Sequence, residues 1–173
     1  MRFVKLAFIS TICLFILATL MGLLFPATVN VSRVVDINIS KDNITPLVLK
    51  ITEWKKWLPN ASDTSFKIIN NQNNKVGTKL LIGSNEVTVT SVTNNTITTI
   101  WKGKNGQKME SFMQVIGYTD KANICTVQWN FQQQLQWYPW ERFASMMNDK
   151  ILGPLMEQGL DNLRKKYAIQ EEK

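Results

Sequence analysis

The sequence predicts an α+β fold, in which an antiparallel sheet packs against a long C-terminal helix and one transmembrane helix comes first. Three observations carry this prediction. Residues 6–25 contain no charged side chain, residues 79–134 form short alternating segments separated by turn residues, and residues 139–167 carry an apolar stripe at helical spacing. A sheet with one apolar face needs a covering layer, which the C-terminal helix can supply.

The apolar N-terminal segment is long enough to be a membrane anchor. Its 20 residues would span about 30 Å as a helix, the thickness of the hydrocarbon core of a bilayer. Phe25 stands where a cleaved signal peptide prefers a small residue, so residues 1–27 are expected to remain as an uncleaved anchor. Arg2 and Lys5 precede the span, which favours a cytoplasmic N-terminus and an extracytoplasmic domain at the cell membrane.

The rest of the chain predicts one domain at residues 28–168 and a flexible tail at residues 169–173. Its length is near the commonest size for a single domain, and 45% of the 173 residues are hydrophobic, including six tryptophans. The net charge of +7 is spread along the chain, so nucleic acid binding is not expected.

The absence of histidine excludes several kinds of site. It removes Ser-His-Asp and Cys-His catalysis together with the commonest zinc ligand sets. The protein is expected to work without a metal or a cofactor. The two cysteines, Cys13 in the anchor and Cys125 in a predicted strand, lie on opposite sides of the anchor boundary and cannot form a disulfide framework.

The first part of the domain combines a strand with short helices. Residues 28–39 alternate as a strand does, and residues 44–57 show helical spacing with Pro46 in the first turn. The polar stretch that follows, up to residue 75, predicts a long loop that covers Phe66, Ile68 and Ile69.

The second part predicts a meander of antiparallel strands and the C-terminal helix. Gly153 and Pro154 should kink or restart this helix, because proline removes an amide donor and clashes with the preceding turn. Along the last three predicted strands, alternation directs the odd-numbered side chains inward and leaves Glu110 in solvent. The predicted strands are 79–82, 86–93, 96–102, 107–118 and 124–134, and the helix is 139–167.

Three motifs carry a resemblance to a known superfamily. They are Trp54-Lys-Lys-Trp57-Leu-Pro59 after the first helix, Trp129-Asn-Phe131 in the last strand, and residues 153–164 in the C-terminal helix. With this order of elements, residues 28–167 resemble the START/polyketide-cyclase-like (SRPBCC) superfamily, and specifically its small membrane-anchored bacterial members. The resemblance implies a helix-grip fold, whose sheet wraps the C-terminal helix around a hydrophobic cavity for lipids, sterols, polyketides or other apolar ligands.

The inward positions supply the candidate ligand-binding residues. Ordinary core packing is the alternative for the whole set, because methionine and aromatic side chains also fill cores that bind nothing. Trp137, Tyr138 and Trp140 are expected either to gate the cavity, to contact the membrane interface, or to fold back over the core. The cavity candidates are Trp101, Met109, Met113, Trp129, Phe131, Phe143 and Met147.

These residues favour a membrane-tethered protein that binds a hydrophobic small molecule or lipid. A polyketide cyclase or dehydratase is the second hypothesis, and it requires a carboxylate or tyrosine that points into the cavity. A scaffold that binds a protein partner through its aromatic loop is the third. The sequence identifies no particular protein partner and no catalytic motif.

Overall fold

The computed structural model describes residues 2–24, 26–59, 61, 65–118, 121–145 and 147–168. The helices are α1 (Arg2–Leu23), α2 (Lys41–Leu49), α3 (Pro139–Ser145) and α4 (Asn148–Ala168), and a 3₁₀ helix spans Ile51–Lys56. The strands are β1 (Thr28–Ile37), β2 (Phe66–Asn70), β3 (Lys79–Ile82), β4 (Asn85–Val92), β5 (Thr96–Lys102), β6 (Lys108–Tyr118) and β7 (Lys121–Gln134).

The strands form one antiparallel sheet in the order β1-β7-β6-β5-β4-β3-β2. Strands β2 to β7 follow one another as a meander, and β1 pairs with β7 to complete the sheet. The predicted α+β class is therefore confirmed.

Strand β2 corrects the prediction of a long loop up to residue 75. It pairs with β3, and only its first residue, Phe66, is buried. Ile68 and Ile69 are 51% and 57% exposed and do not lie under a loop. Because Ile68 and Ile69 are adjacent, this segment lacks the alternation of apolar and polar residues that predicts a strand. It forms a strand because it pairs with β3.

One end of the sheet adjoins the N-terminal helix, and we call it the anchor end. The backbone N–H of Leu135 donates to the carbonyl of Ala27 at 2.8 Å, beside the start of β1. Because neighbouring strands are antiparallel, the register determines which other residues reach this end. The pairs nearest to it are Thr28 with Gln134, Glu110 with Gln132, Lys102 with Lys108, and Ile82 with Asn85.

The core lies between the inner face of the sheet and the helices. The predicted parity is confirmed, since Trp101, Met113, Val127 and Trp129 are at most 7% exposed whereas Glu110 is exposed. Helix α2, the 3₁₀ helix and the residue that follows it add further buried apolar side chains. They are Ile44, Val48, Ile51, Trp54 and Trp57.

The C-terminal helix breaks at a different place from the predicted one. Helix α3 ends at Ser145 and α4 runs without interruption through Pro154. Proline leaves the carbonyl four residues earlier, on Lys150, without its helical donor, but both residues are exposed and the carbonyl can face solvent.

Two ion pairs to one arginine span this part of α4. The Arg33 guanidinium lies against buried Gly153 and contacts Asp149 at 3.0 Å and Glu157 at 2.6 Å, four residues to each side of the glycine. A side chain at position 153 would displace the guanidinium. Arg33 thus connects edge strand β1 to the middle of α4.

Helix α1 has 22 residues and almost entirely exposed apolar side chains. By length and composition it could cross a membrane. It extends nearly to the chain start, so its N-terminal turn includes Arg2 and Lys5, outside the predicted span of residues 6–25. The predicted tail at residues 169–173 lies outside the described residues.

Candidate functional site

A cavity of about 260 Å³ lies between the inner face of the sheet and α4, near the anchor end. Strands β5, β6 and β7 form its floor, α4 covers it, and the turn between β3 and β4 forms part of its rim. Its lining residues are Leu58, Pro59, Ile82, Gly83, Ser84, Asn85, Trp101, Met109, Trp129, Phe131, Leu152, Leu155 and Met156.

Four of the seven sequence-predicted candidates border this cavity, namely Trp101, Met109, Trp129 and Phe131. Met113 lies opposite Trp129 in the register and is 1% exposed, in the packed core beyond the lining.

The other two candidates, Phe143 and Met147, do not border the cavity. They are 40% and 49% exposed on the outer side of the molecule. The sequence interpretation treated residues 139–167 as one helix with one inner face. The break between α3 and α4 gives the two segments separate partners, with α3 against α1 and α4 against β1.

Most of the remaining lining residues come from segments that are far apart in the sequence and meet only in the folded protein. Leu152, Leu155 and Met156 belong to the predicted apolar stripe, and Leu58 and Pro59 end the Trp-rich motif. Gly83, Ser84 and Asn85 carry no sequence signal for a cavity beyond that of a turn. The register of β3 with β4 brings this turn to the rim.

Three of the lining residues belong to an interior cluster of five aromatic side chains. We define it as Trp54, Trp57, Trp101, Trp129 and Phe131. Their neighbouring ring centroids are 5.3 to 6.3 Å apart, in stacked, tilted and edge-to-face pairs. Such geometries stabilise aromatic pairs beyond their area burial. The cluster holds the lining rings in defined positions.

The polar ends of the four interior indoles already have partners. Trp129 donates to Ser111 Oγ at 2.8 Å, and Trp101 donates to Thr99 Oγ1 at 3.1 Å. Trp54 and Trp57 donate to backbone carbonyls of α2, at 2.8 and 3.3 Å. The cavity therefore receives the apolar parts of these rings, with the indole N–H groups bonded elsewhere.

Helix α4 approaches this cluster closely at Gly159. A Cβ atom there would lie 3.1 Å from Pro59 Cδ and 3.3 Å from the Trp129 ring. Glycine costs helix propensity, and here its small size lets α4 contact the aromatic rings directly. A larger residue would have to move the helix or the indole.

Electrostatically, the cavity is neutral. Its described lining contains no Asp, Glu, Lys, Arg, Tyr or Cys, and its polar side chains are those of Ser84 and Asn85 at the rim. Elsewhere on the inner face, burial and then the nearby carboxylate of Asp36 raise the pKa of the Cys125 thiol. Within the described ranges, no cluster of side chains could hold a metal ion.

A second aromatic group, the aromatic loop of Trp137, Tyr138 and Trp140, lies on the surface. These residues are 52%, 37% and 61% exposed, and Tyr138 stacks on Trp140 with ring centroids 5.0 Å apart. Pro139, between them, is buried against the end of α1, where a Cβ on Gly22 would lie 3.3 Å from its Cα. The aromatic loop therefore adjoins the C-terminal end of the apolar helix.

A wide groove of about 820 Å³ separates the aromatic loop from the turn between β5 and β6. Amide side chains predominate in it, and Lys108, Glu110 and Glu141 are its charged residues. It is larger than the interior cavity, and its lining includes charged side chains, which the described lining of the cavity does not.

Comparisons with known proteins agree with this geometry. Residues 28–168 match the family described as polyketide cyclase / dehydrase and lipid transport. No curated protein sequence matches the chain.

Several solved structures share the fold at low sequence identity. A Nitrosospira multiformis protein has a TM-score of 0.65 at 11% identity, with 84% of this chain and 100% of that chain covered. A point mutant of Thalictrum flavum norcoclaurine synthase in complex with a transition-state analogue has a TM-score of 0.63 at 13% identity, covering 84% and 97%. A START superfamily protein of Mycobacterium smegmatis has a TM-score of 0.56 at 15% identity, covering 79% and 97%. The predicted START-like, helix-grip architecture is thereby confirmed.

Proposed function

Because the chain belongs to the polyketide cyclase / dehydrase and lipid transport family, within the SRPBCC superfamily, we propose that its domain binds a hydrophobic small molecule or lipid while α1 tethers it to a membrane. The observation that carries this proposal is the apolar cavity between the sheet and α4, with its aromatic floor and uncharged lining. Apolar pockets with a few polar rim groups are the usual form of small-molecule sites.

The size of the cavity limits what it accepts. About 260 Å³ lies just below the common range of roughly 300–1,000 Å³ for ligand pockets. A compact ring system or part of an acyl chain fits this space, whereas a larger ligand requires the rim to move. Met109, Leu155 and Met156 suit such adjustment, because methionine is flexible and Leu155 is 41% exposed.

The position of the cavity supports uptake from a bilayer. Its rim includes the turn from Gly83 to Asn85, which reaches the anchor end of the sheet. Between the aromatic loop and the rim, the chain also carries a sequential row of exposed apolar side chains, on α3, at the break and on α4. This row consists of Trp140, Phe143, Met147, Ile151 and Leu155. Phe143 and Met147 thus become candidates for the entry route.

The tether completes the proposal. Helix α1 is long and apolar enough to span a bilayer, and Arg2 and Lys5 at its start favour a cytoplasmic N-terminus. The aromatic loop beside its other end then lies at interface depth, where tryptophan and tyrosine are favoured. The domain would face outward from the membrane with its cavity rim on the lipid side.

Binding is better supported than catalysis. A cyclase or dehydratase needs a proton-transfer group beside its ligand, and no described lining residue titrates near neutral pH. Glu110 is exposed, and Tyr118 and Tyr138 are 49% and 37% exposed, outside the cavity. The likeness to norcoclaurine synthase, at 13% identity, concerns the fold alone.

Blocking the rim tests the cavity directly. The full-length chain in nanodiscs is titrated with an apolar fluorescent probe, and lipid extracted from the purified chain is analysed by mass spectrometry. Leu155→Trp should weaken probe binding by roughly tenfold or more, because the loss of one or two kcal/mol of apolar contact suffices. Val34→Trp is the matched control, at an exposed apolar position of β1 outside both the lining and the exposed row.

The proposal fails if wild-type protein yields no copurifying apolar molecule and binds no probe. It also fails if Leu155→Trp and Val34→Trp bind the probe equally well, because the probe would then occupy another place.

A further inference from the structure

Three lysines crowd the hairpin between β5 and β6 at the anchor end. Lys102, Lys104 and Lys108 are all exposed, and Lys102 lies directly opposite Lys108 in the register. Like charges in this position destabilise a hairpin. The hairpin therefore carries a concentration of positive charge that its own fold does not favour.

No carboxylate within the described part of the chain forms an ion pair with these lysines. Glu86 lies opposite Lys102 on β4, but its carboxylate contacts the Lys79 ammonium at 3.3 Å. Glu110 is exposed on β6, opposite Ile100 and Gln132. The charge at the hairpin is left for an external anion.

The turn of this hairpin has a defined backbone conformation. Its turn is closed by hydrogen bonds from Gly103 N–H to the Gln107 carbonyl and from Gly106 N–H to the Gly103 carbonyl, each 3.0 Å long. Gly106 has φ of +77°, a conformation that L side chains rarely adopt. Lys104 lies within this closed turn, so its backbone position is fixed.

The turn extends beyond the anchor end of the sheet. Strand β5 is three strand positions from β1, or about 14 Å at the usual spacing, and the chain enters β1 shortly after α1. Tyr138 and Trp140 of the aromatic loop line the far side of the groove, and Lys108 lines its hairpin side. The lysines and the exposed aromatics thus flank one groove at the end of the domain nearest the tether.

We propose that the β5–β6 hairpin binds the headgroups of anionic phospholipids through Lys102, Lys104 and Lys108, and so seats the cavity rim on the bilayer. This proposal rests on the membrane tether proposed above and adds a lipid class to it. Each lysine near an anionic surface contributes a favourable interaction that salt screens. The groove itself holds Glu110 and Glu141, which would repel phosphate, so the phosphates belong at the hairpin.

The four interior tryptophans leave Trp137 and Trp140 as natural probes. Trp54, Trp57, Trp101 and Trp129 are at most 7% exposed, so acrylamide in the aqueous phase reports on the two exposed indoles. The full-length chain is placed in phosphatidylcholine nanodiscs with or without phosphatidylglycerol, and acrylamide quenching is measured. Phosphatidylglycerol should protect the exposed indoles, and high salt should remove the protection.

Charge removal on the hairpin identifies the lysines responsible. The double variant Lys104→Gln/Lys108→Gln should lower the ratio of seated to unseated domain by roughly 25-fold and abolish the protection. Lys50→Gln/Lys75→Gln is the matched control, with the same change in charge at two exposed lysines away from the anchor end. It should keep the protection.

Equal quenching of wild type in both nanodiscs would overturn the proposal, as would equal effects of the two double variants. Protection by soluble polyglutamate in neutral nanodiscs would replace lipid with an acidic polypeptide as the partner. Probe binding in the cavity is measured on the same samples. If wild-type protein binds no probe but its exposed indoles are protected from acrylamide, the proposed function alone is refuted. If it binds the probe but its indoles are not protected, the hairpin proposal alone is refuted.

Discussion

The interior cluster and the aromatic loop use the same side chains for opposite purposes. In the interior cluster every indole N–H has a protein acceptor and the rings are at most 7% exposed. In the aromatic loop the rings stack on one another but remain one-third to two-thirds exposed. The comparison teaches that tryptophan content alone indicates neither core nor interface, because the surroundings of each ring decide its role.

The largest expected effect distinguishes these two groups by stability. Trp129→Ala removes the ring that contacts Trp57, Phe131 and α4 at Gly159, and it should lower the free energy of unfolding by about 3–5 kcal/mol. Trp137→Ala should lower it by about 1 kcal/mol or less, because about half of this residue is already in solvent. Urea unfolding of the full-length chain in detergent micelles, followed by near-UV circular dichroism, measures both.

If the two variants lose similar amounts of unfolding free energy, the distinction between the interior cluster and the aromatic loop is wrong, because the loop would then stabilise the fold as the core does. Trp129→Phe is a useful intermediate. It keeps most of the ring but leaves Ser111 without its donor, and should cost less than Trp129→Ala.

A smaller expected effect tests whether water is excluded from the inner face of β7, where the interior cluster lies. Burial raises the pKa of the Cys125 thiol above that of an unfolded chain, so folding favours the neutral thiol. Its contribution to stability is complete below the unfolded pKa and is lost as pH rises, because the unfolded thiol ionises first. Above pH ~9 the loss should approach about 1.4 kcal/mol per pH unit until the folded pKa is reached.

Other groups, such as lysines and tyrosines, also ionise at alkaline pH. Comparison of wild type with Cys125→Ala separates the effect of the Cys125 thiol from theirs. The difference in unfolding free energy between wild type and variant should shrink as pH rises from 8 to 10. A constant difference would mean that water or a compensating charge reaches the thiol in the folded protein.

The sequence predicts the repetitive parts of this fold because their signals are local. The strands from 79 to 134 appear at nearly their predicted bounds, and alternation correctly directs Trp101, Trp129 and Phe131 inward. Local signals fail where a distant partner decides the structure. Strand β2 depends on pairing with β3, and α4 continues through Pro154 beside the guanidinium of Arg33, which comes from another element.

Some parts of the cavity could be predicted from the sequence and others could not. Its floor follows from strand parity, whereas its rim at Gly83 to Asn85 depends on the register of a hairpin that no residue pattern specifies. Phe143 and Met147 share helical spacing with true lining residues and differ from them only through the break before α4.

The smallest expected effect on stability concerns the contact that places the aromatic loop. Gly22 packs on Pro139, so Gly22→Leu should push α1 away from α3 while changing the unfolding free energy of the domain by less than about 0.5 kcal/mol. Acrylamide quenching of Trp137 and Trp140 in anionic nanodiscs should rise, because the loop would leave its position at the interface. Ala7→Leu adds three carbon atoms, against four in Gly22→Leu, to an exposed position in the first half of α1, far from this contact, and should leave quenching unchanged. If Gly22→Leu also leaves it unchanged, the aromatic loop is held by the hairpin and the domain alone, and its proximity to α1 has no role in seating it.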